Sequence, residues 1–173
     1  MSAARLPEQV TIGGTTKAHL LHDLRVAGVA LNELANQLFQ DSRFATEPTR
    51  RQLAIVPITV QALGFSHGAT WAELTESASV IGLSSSPLEL AAHLRLCYVE
   101  QEESSVEQPA SRNRAPDGSI TVVSEAVSTD DEDPKGFYLR KIDGVLWLRA
   151  YRSWPGHVWG AGDVLLFSQA PTA

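Results

Sequence analysis

The chain has 173 residues, enough for one domain with a core that needs neither disulfides nor a structural metal. At 43% hydrophobic and 20% charged it has an ordinary globular composition, which excludes a collagen-like, coiled-coil or wholly disordered chain. The formal charge of −6 is unevenly placed, since residues 100–133 carry ten carboxylates against two arginines while residues 134–152 carry five cations against Asp143 alone, so the overall sign does not exclude a polyanionic partner. A single cysteine, Cys97, excludes an internal disulfide and a thiolate zinc cluster. The first ten residues lack the apolar centre of a signal peptide, and the most apolar stretch, residues 53–63, is interrupted by Pro57, Thr59 and Gln61. The expectation is a soluble, cytoplasmic protein with no membrane partner.

In chain order, residues 10–12 read as a short strand stopped by Gly13 and Gly14. Thr15 or Thr16 then caps a helix with Leu20, Leu21, Leu24 and Ala27 on one face, and Gly28 follows its last residue. Asn32 caps a second short helix that turns Leu34, Ala35, Leu38 and Phe39 inward. Residues 52–63 are β-rich, with Pro57 placing the strand at an edge or bulge. Thr70 and Glu73 make a capping box for a helix that ends before Gly82. Ser86 and Glu89 repeat that spacing, with Pro87 between them, and predict a second, short helix before an extended stretch at 94–99. Polar residues with Pro109 and Pro116 predict a mobile acidic loop over 100–118, its aperiodic part at 104–118. A strand at 120–127, an acidic bend at 130–133 and a type I turn at 133–136 come next. Strands at 137–142 and 145–152 flank Asp143-Gly144, a strong hairpin signal, and residues 164–167 form a last strand. The whole, residues 1–173, reads as a single α+β domain: N-terminal helices packed on a mostly antiparallel sheet with a C-terminal β-meander.

The hairpin supplies the sharpest functional expectation. A two-residue turn pairs Ile142 with Val145, hence Arg140 with Trp147 and Tyr138 with Arg149. Phe137, Leu139, Leu146, Leu148 and Ala150 then face the core, while Tyr138, Arg140, Trp147, Arg149 and Tyr151 alternate aromatic and guanidinium on the other side. Such a strip stacks flat rings and pairs anions, although arginine stems also simply shield aromatic rings on exposed sheets. The loop that follows adds Trp154 and Trp159, which would wall one end of the strip.

Other motifs carry alternatives. Gly64-Phe65-Ser66-His67-Gly68 matches the nucleophile-elbow pattern, with Asp143 and His157 in the right chain order for a triad, and so suggests an esterase-like hydrolase using Ser66. Against it, the capping box delays the following helix to Trp71. His19, His22 and Asp23 share a helix face opposite the leucines, but no third or fourth metal ligand is indicated. Glu89 and His93 stand four apart as an acid and base pair, with Glu89 already given a capping role. Cys97, read as lying in a strand, suits a small apolar residue better than a nucleophile. Gly13-Gly14-Thr15-Thr16-Lys17 and Gly160-Ala161-Gly162 lack the spacing and context of nucleotide loops. The first helix pair has the layout of a helix-turn-helix, yet its second helix has no Lys or Arg to meet phosphate.

The stretches Ile12-Gly-Gly-Thr-Thr-Lys-Ala-His-Leu-Leu, Gly28-Val-Ala-Leu-Asn-Glu-Leu-Ala, Gly64-Phe-Ser-His-Gly-Ala-Thr, Pro87-Leu-Glu-Leu-Ala-Ala-His-Leu-Arg-Leu and Gly136-Phe-Tyr-Leu-Arg-Lys-Ile-Asp-Gly-Val-Leu-Trp-Leu-Arg cover most of the chain. Together they resemble a family of small uncharacterised bacterial proteins, some loosely labelled helicase. The chain has neither a phosphate loop nor the length of a motor, so the resemblance implies no mechanism and no catalytic residue. The expectation is a non-catalytic binding module without cofactor or metal, engaging a protein or a small anionic or aromatic ligand, with nucleic acid a further option. The acidic segment at 100–133 offers an alternative as the contact for a basic protein partner.

Overall fold

The computed structural model describes residues 5–104 and 118–169, so most of the expected mobile loop lies outside the described residues. The chain runs β1 (Gln9–Ile12), α1 (Lys17–Val26), β2 (Ala30–Leu31), α2 (Glu33–Gln40) and β3 (Arg51–Thr59), then a 3-10 turn at Gln61–Leu63. It continues through β4 (Ala69–Thr70), α3 (Trp71–Val80), β5 (Leu83–Ser84) and α4 (Glu89–Cys97). Five strands close it: β6 (Ile120–Val122), β7 (Gly136–Ile142), β8 (Val145–Tyr151), β9 (Val158–Trp159) and β10 (Val164–Gln169).

An eight-stranded sheet has the order β1-β3-β10-β6-β7-β8-β2, with β5 alongside β10, while β4 and β9 form a separate ribbon. Within the sheet β10–β6 and β2–β8 are parallel and the remaining pairs antiparallel, so the fold is α+β. Strands β6, β7 and β8 are the meander, and β10 leaves it to insert between β3 and β6. Both faces of the sheet are covered in part. Leu166 of β10 points into the core under α1, α2 and α4, whereas its neighbours Leu165 and Phe167 point into a second core under α3 and the β4–β9 ribbon.

Local signals explain most boundaries. Thr16 accepts the His19 amide at 3.1 Å to start α1, and the Thr70–Glu73 capping box starts α3. Asn32 caps α2 through the Ala35 amide at 2.9 Å and also clasps β8, accepting the Ala150 amide and donating to its carbonyl, both at 3.0 Å. Gly13 has φ +81° and packs so closely that a β-carbon there would stand 2.1 Å from the Thr49 carbonyl oxygen, so only glycine fits. Pro57 lies beyond the last residue that β1 pairs, where β3 is open on that side and the missing amide is not needed.

Five expectations need correction, three of them around α4. Ser86 does not cap it: its amide donates to Val123 at 2.7 Å and its hydroxyl pairs with that of Ser168, because this segment is stitched to β6 and β10 instead. Glu89 is likewise no cap, being fully buried with its carboxylate turned inward. The helix then continues to Cys97 rather than yielding to strand; Leu94, Leu96 and Tyr98 mimic a strand period because α4 is enclosed on several sides and shows no clean polar face. The strand expected at 120–127 stops at Val122, and the hydrogen-bonded turn falls at 130–133, where the Asp133 amide reaches the Asp130 carbonyl at 3.1 Å.

Arg95, also fully buried, ties α4 to the meander. Its guanidinium donates to Gln101 Oε1 at 2.6 Å and to the Tyr98 carbonyl, while Gln101 Nε2 donates to the Gly118 and Leu139 carbonyls, each at 3.0 Å. Burial lowers the Arg95 pKa to about 10, so the guanidinium stays charged at neutral pH and needs its acceptors. Gln101→Ala removes three hydrogen bonds and strands a buried cation; it should cost about 2–4 kcal/mol in urea unfolding. A loss below about 0.5 kcal/mol would show that water replaces the glutamine.

Candidate functional site

The hairpin forms as its turn dictates. Asp143 and Gly144 both have positive φ, +50° and +76°, the conformation of a type I′ turn that matches the strand twist. Ile142 pairs with Val145, Arg140 with Trp147 and Tyr138 with Arg149. Phe137, Leu139, Leu148 and Ala150 are buried in the first core, with Leu146 packed against it.

The opposite side lies on the α3 face of the sheet, where α3 reaches only its Tyr151 end, through Trp71. There Tyr138, Arg140, Trp147, Arg149 and Tyr151 are all half-buried. The Arg149 guanidinium sits 4.9 Å from the Trp147 ring centroid and its Nε donates to the Tyr138 hydroxyl at 2.9 Å. This cation is therefore held over an indole by a second contact to the Tyr138 hydroxyl, which orients both groups. Arg140 differs, since its Nε is buried and has no hydrogen-bond partner among the described residues.

Towards Tyr151 the strip runs into an aromatic cluster. Tyr138 and Tyr151 are 6.5 Å apart, Tyr151 meets Trp159 edge-on at 5.4 Å, and Trp71 of α3 lies 5.3 Å from Trp159. His157 stands between Trp154 and Trp159 at 5.1 and 5.0 Å. A pocket of about 310 Å³ opens beside Trp71, Tyr151 and Trp154, with Ser124 and Lys135 contributing polar groups. Burial raises the Tyr151 phenol and lowers the His157 imidazole from their usual ranges, keeping both neutral at pH 7.

The expected site residues separate into two groups. Tyr138, Arg140, Trp147, Arg149 and Tyr151 share one continuous face, and Trp154, 48% exposed, extends it. Trp159 is 4% exposed and belongs to the second core, so it supports the face from below rather than walling its end. Trp71 was not expected; its place at the first turn of α3 was legible from the capping box, but its contact with Tyr151 depends on how α3 lies on the sheet.

Ser66 is exposed in a turn closed by the Gly68 amide on the Phe65 carbonyl at 3.2 Å, and among the described residues no hydrogen bond joins it to Asp143 or His157. His19 Nε2 lies 3.7 Å from Asp23 Oδ1, and among the described residues no group of three His, Cys, Asp or Glu is placed to hold a metal. Cys97 is exposed at the end of α4, not in a strand, because the helix runs one turn further than its alternating leucines suggest. Glu89 and His93 do meet, Nε2 to Oε2 at 3.0 Å, on the other side of the sheet. No helix among the described residues is long and apolar enough to cross a membrane.

The sequence matches no protein-family model, and no curated protein or solved structure gives a significant match. The site is therefore read from its own chemistry.

Core and face make different demands on their tryptophans. Trp159→Ala should cost about 3–5 kcal/mol in chemical denaturation, as deletion of a buried aromatic does. Trp147→Ala, half-exposed, should cost no more than about 1.5 kcal/mol. Equal losses would mean that the hairpin face is core.

Proposed function

We propose that this protein is a cytoplasmic binding module whose hairpin face receives an anionic partner carrying flat rings. The observation that carries the reading is Arg140: a charged side chain whose buried Nε finds no acceptor among the described residues, beside a guanidinium already placed over Trp147. A buried donor without a partner costs about 1–3 kcal/mol, and an anionic ligand at this face would supply the missing acceptor. Trp147 and Tyr138 offer ring faces next to it, and the pocket beside Tyr151 and Trp154 gives a second ring a place to enter. Nucleoside phosphates and short single-stranded oligonucleotides combine the two chemistries. The five hairpin residues of the face are aromatic rings and guanidinium groups, which supports a role in binding.

Titration with nucleoside monophosphates and an eight-nucleotide single strand, followed by tryptophan fluorescence and by thermal midpoint, tests this. Wild-type protein should show quenching and a raised midpoint that weakens with added salt, since a ligand specific for the folded state stabilises it by mass action. Arg140→Ala and Trp147→Ala should each weaken affinity by about tenfold or more while keeping the fold. Absence of any response in the wild type, or unchanged affinity in both variants, would overturn the reading.

A further inference from the structure

On the opposite side of the sheet, we propose a second, catalytic site: a cleft between α1 and α4 that hydrolyses phosphate esters, with His93 as general base, Glu89 as its positioning residue and Arg50 as the anion contact. The cleft has a volume of about 770 Å³ and is lined by the β1–α1 loop, His19 and Asp23 of α1, Arg50, and His93 of α4.

Glu89 is the reason to read this cleft as built. It is fully buried, yet both carboxylate oxygens accept main-chain amides from distant segments, Oε1 from Glu47 at 2.6 Å and Oε2 from Gly13 at 3.1 Å. Because both oxygens already act as acceptors, the 3.0 Å contact with His93 Nε2 assigns the imidazole as the donor. That fixes one tautomer, with the hydrogen on Nε2 and the lone pair on Nδ1. A carboxylate that orients a histidine in this way also stabilises the imidazolium formed when Nδ1 takes a proton. The His93 side chain is 15% exposed, so the ring is held by its buried partner while part of it remains open to the cleft.

The substrate class follows from the arginine that shares the cleft. Arg50 lies over Gly14, where a β-carbon would stand 2.7 Å from its Cγ, and it has no ion pair among the described residues. A guanidinium with no ion pair among the described residues, lining the same cleft as an oriented base, favours an anionic electrophile, for which a phosphate ester fits and a neutral carboxylic ester does not. The Gly13 and Gly14 amides are both engaged inward, with Glu89 and with the Glu47 carbonyl, so the charge of the phosphate falls to Arg50 rather than to the glycine loop. In the step, water attacks phosphorus as His93 Nδ1 takes its proton; the bond from phosphorus to the ester oxygen breaks, and His19, paired with Asp23 at 3.7 Å, gives the departing alkoxide a proton. The products are an alcohol and inorganic phosphate, and exchange with solvent returns the proton from His93 to His19.

The test follows p-nitrophenol release by the full chain from p-nitrophenyl phosphate and, separately, from p-nitrophenyl acetate. Phosphate ester turnover should fall about 100-fold or more in kcat for His93→Ala, while Arg50→Ala should chiefly raise KM. Glu89→Gln should lower kcat and change the His93 tautomer seen in nitrogen-15 spectra, which a purely structural glutamate would leave as Nε2–H. Inorganic phosphate should shift the His93 ring resonances of the wild type, a readout that stands even where a variant fails to fold. Turnover equal in wild type and His93→Ala, acetate hydrolysis without phosphate ester hydrolysis, or no phosphate-induced shift would each overturn the proposal. None of these results bears on the hairpin face, which lies across the sheet.

Discussion

The fold depends on what α4 does with two charges that water does not reach. Glu89 at its start draws in the loop after β1 and the segment before β3, and Arg95 in its last turn draws in the chain that leads to the meander. Burying either charge alone would be costly: Glu89 is held by main-chain amides from two remote segments, and Arg95 by the Tyr98 carbonyl and the Gln101 side chain, which itself reaches the Leu139 carbonyl. The helix is thereby pinned in rotation as well as position, since the two side chains leave it in different directions. Apolar packing of Leu90, Ala91 and Leu94 would fix its depth against the sheet but not its register.

That anchoring divides the sheet into unlike faces. Helices α1, α2 and α4 cover one side, while α3 and a short ribbon cover only part of the other. The uncovered part is the hairpin, and there a fully apolar surface would be an aggregation liability. Aromatic rings shielded by guanidinium groups are a stable way to leave such a face open. The same composition suits the binding of anions and rings proposed for this face.

Much of this architecture was legible residue by residue. The Asp143-Gly144 turn set the hairpin register, and alternation then assigned both of its faces correctly. Thr16, Asn32 and the Thr70–Glu73 pair marked three helix starts. Where reading failed, a local rule was outcompeted by a distant partner: Ser86 and Glu89 have the spacing of a capping box, but Ser168, Gly13 and Glu47 claim their side chains and amides. The Glu89–His93 spacing was visible as well, and the capping reading obscured it. Trp159 looked like a loop indole because its pairing with Ala69 spans 90 residues of chain.

Sequence alone determined the elements whose information lies within a few residues: caps, the hairpin turn, the alternating faces of β7 and β8, and the α+β class. Tertiary structure decided the insertion of β10 between β3 and β6, the burial of Glu89 and Arg95, and which aromatic rings are core and which are face. The division has a simple cause. Caps and turns are satisfied by the backbone next to them, whereas a buried charge or a sheet neighbour is chosen by free-energy competition among segments that meet only when the chain is folded.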